Sequence, residues 1–292
     1  YVFMHQVVVG TGRDLAILVD RGDVAGCSFG FKVREGGDRW ELRGAQTVRE
    51  LLDVELHEVT LTHDPAYPCC TSRGGVAALE LASGKLLWKQ YHIAAAPTPR
   101  SPAGETPPRF GPAGASTYTP LAIDTRRGVL YASTAEEYGL LDPTGPYSVI
   151  AYDLQSGARR WQQQFLPDAA TRKAACAAAP QTDCRNLFSM GTSVTIVSLP
   201  SGRQVLVAGQ KWGVVYGLDP DRNGKVLWST RVAAGGDLGG IMYGMASDGS
   251  ALFVPVSDDE AAAPHRPGGL AALDPANGAV LWRTAGPEPR CA

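Results

Sequence analysis

The segment YSVIAYDLQSGARRWQ, residues 147–162, contains an apolar run that ends in Asp153, a turn with Gly157, and a second run that reaches Trp161. Aspartate and glycine supply the turn chemistry of a β-hairpin, and the apolar runs on either side supply its strands. Three more segments follow the same plan: GGVAALELASGKLLWK (74–89), GVVYGLDPDRNGKVLWS (213–229) and GGLAALDPANGAVLWR (268–283). The sequence therefore predicts a repeated hairpin whose second strand carries a tryptophan, at Trp88, Trp161, Trp228 and Trp282.

Paired strand-like runs lie between these hairpins, in TPLAIDTRRGVLYAST, TSVTIVSLPSGRQVLVAG and GMASDGSALFVPVS. Two strands and one hairpin make a four-stranded unit, which is one blade of a β-propeller. The chain is predicted to be mainly β, with about three and a half blades, because residues 74–89 have no first two strands of their own. A β-sandwich with similar hairpins is the alternative, and the regular recurrence of the tryptophan favours the propeller.

Composition supports a folded protein and excludes some partners. The chain has 292 residues, 44% of them hydrophobic, and a formal net charge of -2, so nothing indicates capture of nucleic acid or of an anionic membrane. It contains no apolar run long enough to span a membrane, and its first residues lack the basic stretch of a signal peptide. Among six cysteines, Cys176 and Cys184 would close a short disulfide loop in an oxidising compartment, with two free thiols as the alternative.

Residues 1–68 do not share the repeat. They contain a helix-like run, RDLAILVDRGD, followed by the strand-like runs AGCSFGFKV and LLDVELHEVTLTH. A small α/β fragment at 1–68 is therefore expected to precede a propeller domain at 69–292.

The stretches RGDVAGCSFGFKVREGGDRWE and RELLDVELHEVTLTHDPAYP resemble the C-terminal part of the tailed-phage prohead proteases, which mature capsids in the cytoplasm. The resemblance implies that Ser28 is the nucleophile of a serine protease and that its histidine base lies further upstream than this chain extends. Because serine needs such a base to attack a carbonyl, an inactive remnant is expected. The structural alternative for Ser28 is a small residue in a glycine-rich turn before a strand.

From Cys69 to about residue 284, the chain resembles quinoprotein dehydrogenases of the polyvinyl-alcohol-dehydrogenase-like branch. The resemblance is carried by CCTSRGGVAALELASGKLLWK, FGPAGASTYTPLAIDTRRGVLYAST, VLVAGQKWGVVYGLDPD and LGGIMYGMASDGSALFVPVSD. It implies an eight-bladed propeller that binds pyrroloquinoline quinone (PQQ) and Ca²⁺ in the periplasm. It also implies oxidation of a secondary alcohol, small or polymeric such as polyvinyl alcohol, with electrons leaving to an external cytochrome.

The same resemblance assigns the cofactor-binding residues. A disulfide between the adjacent Cys69 and Cys70 would stack on the flat quinone, and Arg73 would pair with a PQQ carboxylate. Lys211, in AGQKWG, would place positive charge near the quinone oxygens. The structural alternatives are two unrelated thiols near a turn for the cysteines and a solvated hairpin residue for Lys211.

The metal ligands and the base are assigned in the same way. Glu136 or Glu137 would ligate Ca²⁺, in STAEEYG where relatives carry an asparagine, and Asp168 in LPDAATRKAAC would take the alcohol proton. The alternative for Asp168 is an ordinary loop residue.

Three functions are consistent with these patterns. The first is an incomplete PQQ-dependent alcohol dehydrogenase, the second is a non-catalytic propeller that binds a partner, and the third is a serine protease centred on Ser28. Because the two resembled families work in different compartments, a chimeric chain with a seam near residue 68 is expected.

Overall fold

The computed structural model describes residues 26–33, 38–43, 46–51, 54–62, 73–99, 110–112, 114–137, 145–178, 186–236, 239–257 and 268–286. The chain divides into two compact units. One unit comprises Tyr1–Pro68 together with Glu80–Lys85, and the other comprises Cys69–Leu79 together with Leu86–Ala292.

The described part of the first unit consists of two antiparallel strand pairs. Strand β1 (Gly26–Val33) pairs with β4 (Val54–Thr62), and β2 (Asp38–Arg43) pairs with β3 (Gln46–Leu51). The two strand-like runs predicted for this segment are thereby confirmed as β1 and β4. The helix-like run RDLAILVDRGD lies outside the described residues.

The second unit is built from antiparallel sheets whose strands follow the chain order. Two are short, β5 (Gly75–Leu79) with β6 (Leu86–Tyr91), and β7 (Thr98–Pro99) with β8 (Phe110–Gly111). We call the hairpin β5–β6 the first sheet. Three further sheets have four strands each. The second sheet contains β9 (Ala122–Asp124), β10 (Val129–Ser133), β11 (Ser148–Asp153) and β12 (Arg159–Gln164); the third contains β13 (Thr195–Ser198), β14 (Gln204–Gly209), β15 (Val214–Asp219) and β16 (Lys225–Arg231); the fourth contains β17 (Ala246–Ser247), β18 (Leu252–Val256), β19 (Gly269–Leu273) and β20 (Val280–Ala285). The prediction of a mainly β chain with three and a half propeller blades is confirmed by these three sheets and the hairpin β5–β6.

The helical segments of the described residues lie between strands. Helix α1 (Ala169–Ala178) follows β12, and two 3-10 turns cover Asn186–Phe188 and Pro220–Arg222. Ala175 and Cys176 of α1 pack against a buried cluster that includes Phe188. No helix in the described ranges is long and apolar enough to cross a membrane.

Each repeated tryptophan lies on the last strand of its sheet, and three of them pack on the hairpin turn of the next sheet. A Cβ added to Gly157 would lie less than 3.0 Å from the ring of Trp88, and the same is true of Gly224 with Trp161 and of Gly278 with Trp228. The three glycines also have positive φ angles, of 73°, 71° and 76°. Glycine is therefore required at these turns twice over, by the backbone conformation and by the close approach of the indole ring.

The indole N–H groups extend the same contact. Trp88 Nε1 donates to the carbonyl oxygen of Leu154 at 3.3 Å, and Trp228 Nε1 donates to that of Pro275 at 3.1 Å. Both acceptors directly follow the aspartate of the turn, Asp153 or Asp274. The repeated aspartate, glycine and tryptophan thus form one docking unit between neighbouring sheets.

Apolar side chains fill the spaces between the sheets. One buried cluster includes Val207 of the third sheet and Leu252 of the fourth, and another includes Tyr131 of the second sheet and Leu206 of the third. These residues are almost fully buried, as expected for the inner strands of packed sheets. The hydrophobic core therefore lies between consecutive blades.

A buried histidine joins the first hairpin to the second sheet. His92 Nδ1 lies 2.6 Å from the hydroxyl of Tyr152, and Nε2 lies 2.9 Å from Thr117 Oγ1. Since the single hydroxyl proton of Thr117 is donated to the carbonyl of Ser133 at 3.0 Å, Nε2 must be the protonated nitrogen of His92. In a neutral His92, Tyr152 then donates to Nδ1.

A salt bridge links the second and third sheets. Two nitrogens of Arg127, Nε and Nη2, donate to Asp221 at 2.8 Å, and Nη1 donates to Asp124 at 2.7 Å and also to Gln204. The guanidinium of Arg127 lowers the pKa of Asp221 below its usual value. This carboxylate therefore stabilises the folded protein above the pKa it has in the unfolded chain, and the stabilisation is lost as the pH falls.

We expect Gly157→Ala to destabilise the protein more than Gly202→Ala. Both glycines have positive φ, so both substitutions incur the left-handed backbone cost of roughly 1–2 kcal/mol. Only Gly157 faces a tryptophan ring, which adds an overpacking cost of about 1–3 kcal/mol, whereas Gly202 faces open space. Urea unfolding of the two variants measures the difference, and equal losses would contradict the docking role of Trp88.

We expect Arg127→Met to reduce stability at pH 7 by more than the roughly 0.2–1 kcal/mol of an exposed ion pair, because the buried Asp124 also loses its partner, and by less at pH 3. Arg127 attracts the Asp221 carboxylate only while this carboxylate is ionised. The loss of Arg127 therefore costs less stability at a pH where the carboxylate begins to take up a proton. Arg203→Met, in an exposed turn, is the control. Unfolding midpoints at the two pH values test this, and a loss that does not depend on pH would show that Arg127 acts through packing.

Candidate functional site

The turn between β14 and β15 places Lys211 inside the protein. Its side chain is only 5% exposed, and its ammonium nitrogen donates to Asn186 Oδ1 at 2.7 Å. Room for it is made by two glycines, because a Cβ on Gly191 would crowd Lys211 Cγ at 3.3 Å and one on Gly240 would meet the Lys211 backbone. Lys211 is therefore a buried cation, and the alternative of a solvated hairpin lysine is wrong.

Ser189 lies between Glu136 and Asn186, the hydrogen-bond partner of this cation. Ser189 Oγ donates to Glu136 Oε2 at 2.9 Å and lies 3.2 Å from Asn186 Oδ1. We name Lys211, Asn186, Ser189 and Glu136 the polar cluster. It combines an ammonium, an amide, a hydroxyl and a carboxylate, which come from the second sheet, the third sheet and the 3-10 turn between them.

Aromatic rings border the polar cluster. The Lys211 nitrogen lies 5.7 Å from the ring centre of Tyr118, whose hydroxyl donates to the carbonyl of Met190 at 3.0 Å. Trp212, next to Lys211, makes an edge contact with Phe188 at 5.4 Å. The guanidinium of Arg231 covers Trp212 at 4.2 Å and donates to its backbone carbonyl at 2.7 Å. A cation among aromatic rings is suited to a flat, anionic ligand.

Glu137 follows Glu136 but occupies a different environment. Its side chain is buried, at 8% residue exposure, and its backbone N–H lies 3.4 Å from the hydroxyl of Tyr147. Its backbone also bridges to Gly114. Of the two glutamates predicted as metal ligands, Glu136 is the one whose carboxylate joins the polar cluster.

Arg73 lies at the start of the first hairpin. Its guanidinium stacks on the ring of Tyr91 at 3.7 Å and donates to the carbonyl of Ala94 at 3.0 Å. Lys89 and, to a smaller extent, Arg73 lower the pKa of Tyr91. The predicted disulfide pair, Cys69 and Cys70, lies outside the described residues.

Asp168 caps helix α1. One carboxylate oxygen accepts from the backbone N–H of Thr171 at 2.9 Å, and the other accepts from the Thr171 hydroxyl at 2.7 Å. These hydrogen bonds lower the pKa of Asp168, which makes the carboxylate a weaker proton acceptor. Among the described residues, the groups that donate these hydrogen bonds to the Asp168 carboxylate lie in the first turn of α1, which Asp168 caps.

Two predicted residues are placed only in part. Cys176 is disulfide-bonded, and its predicted partner Cys184 lies outside the described residues, so the pairing stays a prediction. Ser28 lies within β1, opposite Thr60 of β4. The alternative that placed Ser28 in a turn before the strand is therefore wrong.

The resemblance to quinoprotein dehydrogenases pointed to Lys211 and to Glu136 or Glu137, and sequence reasoning missed Asn186, Ser189 and Tyr118. These three residues lie in connecting segments, where no periodicity marks a side chain as inward or outward. The only local signal is the short motif NLFSM, an asparagine and a serine that bracket two apolar residues.

The polar cluster provides part of a metal site. Ca²⁺ takes 6–8 oxygen ligands, and the cluster offers the carboxylate of Glu136, the amide oxygen of Asn186 and the hydroxyl of Ser189. The described residues contain no group of three His, Cys, Asp or Glu side chains that could hold a metal ion. A bound cation would therefore need additional oxygen ligands from a cofactor or from solvent.

Two family models match the chain. The PQQ_2 model, described as outer membrane protein assembly factor BamB, matches residues 72–292. The model of the caudovirus prohead serine proteases matches residues 9–80. The first match covers most of the chain, and the second covers about a quarter of it.

Two curated proteins are similar to the chain. The polyvinylalcohol dehydrogenase of Pseudomonas sp is 35% identical over 240 residues, covering 80% of this chain and 37% of that protein. The polyvinylalcohol dehydrogenase of Sphingopyxis sp. (strain 113P3) is 32% identical over 234 residues, covering 78% and 36%. The chain thus spans little more than a third of the length of these relatives.

Solved structures are similar to the chain at low identity, and one of them aligns with a TM-score above 0.5. A quinohemoprotein alcohol dehydrogenase from Pseudomonas putida HK5 aligns with a TM-score of 0.51 and 16% identity, covering 74% of this chain and 43% of that one. BamB from Moraxella catarrhalis aligns with a TM-score of 0.40 and 15% identity, covering 74% and 44%. With the family model matched over residues 72–292, the chain belongs to the PQQ_2 family of outer membrane protein assembly factor BamB and is a homologue of the polyvinylalcohol dehydrogenases.

Proposed function

We propose that the second unit is a PQQ-binding propeller of the alcohol dehydrogenase type, with a secondary alcohol, small or polymeric, as substrate. The observation that carries the proposal is the buried Lys211, which donates to Asn186 next to Ser189 and Glu136. The homologous dehydrogenases supply the substrate class. The chain spans little more than a third of those relatives, so the activity of the whole protein is part of the proposal.

The positive charge of the described residues is suited to the negative charge of PQQ. PQQ is a flat tricarboxylate, and a buried ammonium beside the ring of Tyr118 suits an anionic aromatic ligand. Lys211 would hold positive charge beside the quinone oxygens, and Arg73 would hold a carboxylate. Cys69 and Cys70 would form the flat disulfide platform. When bound, PQQ supplies a two-electron acceptor for alcohol oxidation.

Ca²⁺ belongs to the same proposal. Glu136 would contribute a carboxylate oxygen and Asn186 an amide oxygen, which are the ligand types that Ca²⁺ prefers. Lys211 would then exchange its hydrogen bond with Asn186 for one with the cofactor. An external cytochrome as electron acceptor and a periplasmic location complete the proposed setting.

A non-catalytic binding propeller is the second candidate. It is favoured by one observation, the use of both Asp168 oxygens in the cap of α1. A carboxylate engaged in this way has a lowered pKa and is a poor base. Ligand binding without turnover would distinguish this candidate from the dehydrogenase.

We expect Lys211→Gln to weaken PQQ binding by roughly 10- to 100-fold, because a charge-assisted hydrogen bond contributes about 1.5–3 kcal/mol. Quenching of tryptophan fluorescence in a PQQ titration, with and without Ca²⁺, measures the affinity. Lys225→Gln is the matched control, since Lys225 is exposed on a hairpin. The same titration on Cys69→Ser/Cys70→Ser tests the platform. Unchanged affinity in Lys211→Gln, or no saturable binding by a folded chain, would overturn the proposed site.

We expect Asp168→Ser to keep the stability of α1 and Asp168→Ala to lose about 1 kcal/mol, because serine is a good N-cap and alanine is not. Thermal unfolding measures this difference. Dye-coupled oxidation of a secondary alcohol by the PQQ-loaded Asp168→Ser variant then separates the two roles. Retained turnover assigns Asp168 to the cap, and abolished turnover with intact stability assigns it to proton transfer.

A further inference from the structure

The residue that precedes Lys211 is also buried, and it has no place in the polar cluster. Gln210 lies between β14 and β15, and its exposure is 0%. Burying an amide is unfavourable unless its donors and its acceptor find hydrogen-bond partners. The partners of Gln210 therefore show which parts of the protein its side chain holds together.

Both N–H groups and the oxygen of the Gln210 amide are hydrogen-bonded. Nε2 donates to the carbonyl of Phe165 at 3.0 Å and to that of Phe188 at 2.7 Å, and Oε1 accepts from the hydroxyl of Tyr216 at 3.0 Å. Burial raises the pKa of Tyr216 to about 12, so this hydroxyl keeps the proton that it donates. The reverse orientation would place the amide oxygen against two carbonyl oxygens, so only one orientation of the amide satisfies its partners.

The three partners come from three different elements. Phe165 directly follows β12, Phe188 is the last residue of the 3-10 turn Asn186–Phe188, and Tyr216 lies in β15. The rings of Phe165 and Tyr216 also pack together, with their centres 4.2 Å apart. One amide therefore joins the second sheet, the third sheet and the 3-10 turn between them.

The same short segment provides the partners of Lys211. The ammonium nitrogen of Lys211 donates to Asn186 Oδ1 at 2.7 Å, and its backbone N–H donates to the carbonyl of Ser189 at 3.0 Å. Phe188 lies between Asn186 and Ser189 in the sequence. By holding the carbonyl of Phe188, the amide of Gln210 determines where Asn186 and Ser189 lie.

We propose that Gln210 is a positioning residue, whose two amide N–H groups hold the 3-10 turn beside Lys211. Binding of PQQ, which rests on the proposed function, would take the Lys211 ammonium away from Asn186. Of the two side chains that donate to the turn, Gln210 would then be the one that still holds it. Asn186 would keep its place as a metal ligand next to Glu136.

The rate at which Lys211 is acylated tests the proposal on the ligand-free chain. Mass spectrometry at one fixed pH compares the buried Lys211 with the exposed Lys225 of the same molecule. We expect Lys211 to react more slowly than Lys225 by roughly 10-fold or more, and Gln210→Met to raise its rate about 10-fold, the equivalent of one or two hydrogen bonds. Methionine is about as long as glutamine but has no N–H group.

Tyr216→Phe is the matched control. It removes one hydrogen bond of the same amide but leaves both donations of Gln210 and the ring contact with Phe165. Lys211 should therefore stay protected in Tyr216→Phe, even where urea unfolding shows a loss of stability. A role of Gln210 in stability alone would instead expose Lys211 equally in both variants.

Gln210→Asn is the second variant, and it carries the test if circular dichroism shows that Gln210→Met does not fold. Its amide keeps the N–H donors but is one methylene shorter, so it reaches only one of the two carbonyls and should give an intermediate acylation rate. Three results would overturn the proposal: equal rates for Lys211 and Lys225 in the unchanged chain, a protected Lys211 in either folded Gln210 variant, or the same loss of protection in Tyr216→Phe.

A PQQ titration of the same variants separates this proposal from the proposed function. Loss of Lys211 protection in Gln210→Met, with no PQQ binding by the unchanged chain, supports the positioning role and overturns the proposed function. PQQ binding that is weakened in Gln210→Met but not in Tyr216→Phe supports both. PQQ binding by the unchanged chain, with Lys211 still protected in Gln210→Met, supports the proposed function and overturns the positioning role.

Discussion

The contact between a tryptophan and the glycine of the next hairpin turn is the constraint on which the second unit depends. It occurs at Gly157, Gly224 and Gly278, where a single added carbon would lie within 3.0 Å of an indole ring. Because the ring approaches the backbone so closely, it sets the distance between neighbouring sheets. The buried valine and leucine clusters then fill a gap whose width is already determined.

The polar cluster depends on this spacing. Glu136 follows a strand of the second sheet, Lys211 lies between two strands of the third, and Asn186 and Ser189 belong to the segment that connects them. A change in the distance between the sheets would separate Lys211 from Asn186 or Ser189 from Glu136. A rigid scaffold that holds polar residues on its connecting segments is the usual arrangement of a binding site.

The two family matches coincide with the division of the chain into two units. The first unit comprises Tyr1–Pro68 with the short segment Glu80–Lys85, and the matches at residues 9–80 and 72–292 overlap only at residues 72–80. The described part of the first unit consists of two strand pairs outside the tryptophan repeat. A chimeric origin of the chain, with a seam near Cys69, is the interpretation that we propose for this coincidence.

The sequence by itself determined the mainly β fold, the hairpins and the sheet count, because Asp, Gly and Trp recur at fixed places and turn chemistry is local. Its resemblance to quinoprotein dehydrogenases also pointed to Lys211 and to Glu136 or Glu137. Only the tertiary structure decided that Lys211 is buried and that Asn186 and Ser189 join it to Glu136, because these residues lie far apart along the chain and meet only when two sheets pack. Tertiary contacts likewise decided that Trp88, Trp161 and Trp228 pack on Gly157, Gly224 and Gly278, because each ring and its glycine belong to different sheets.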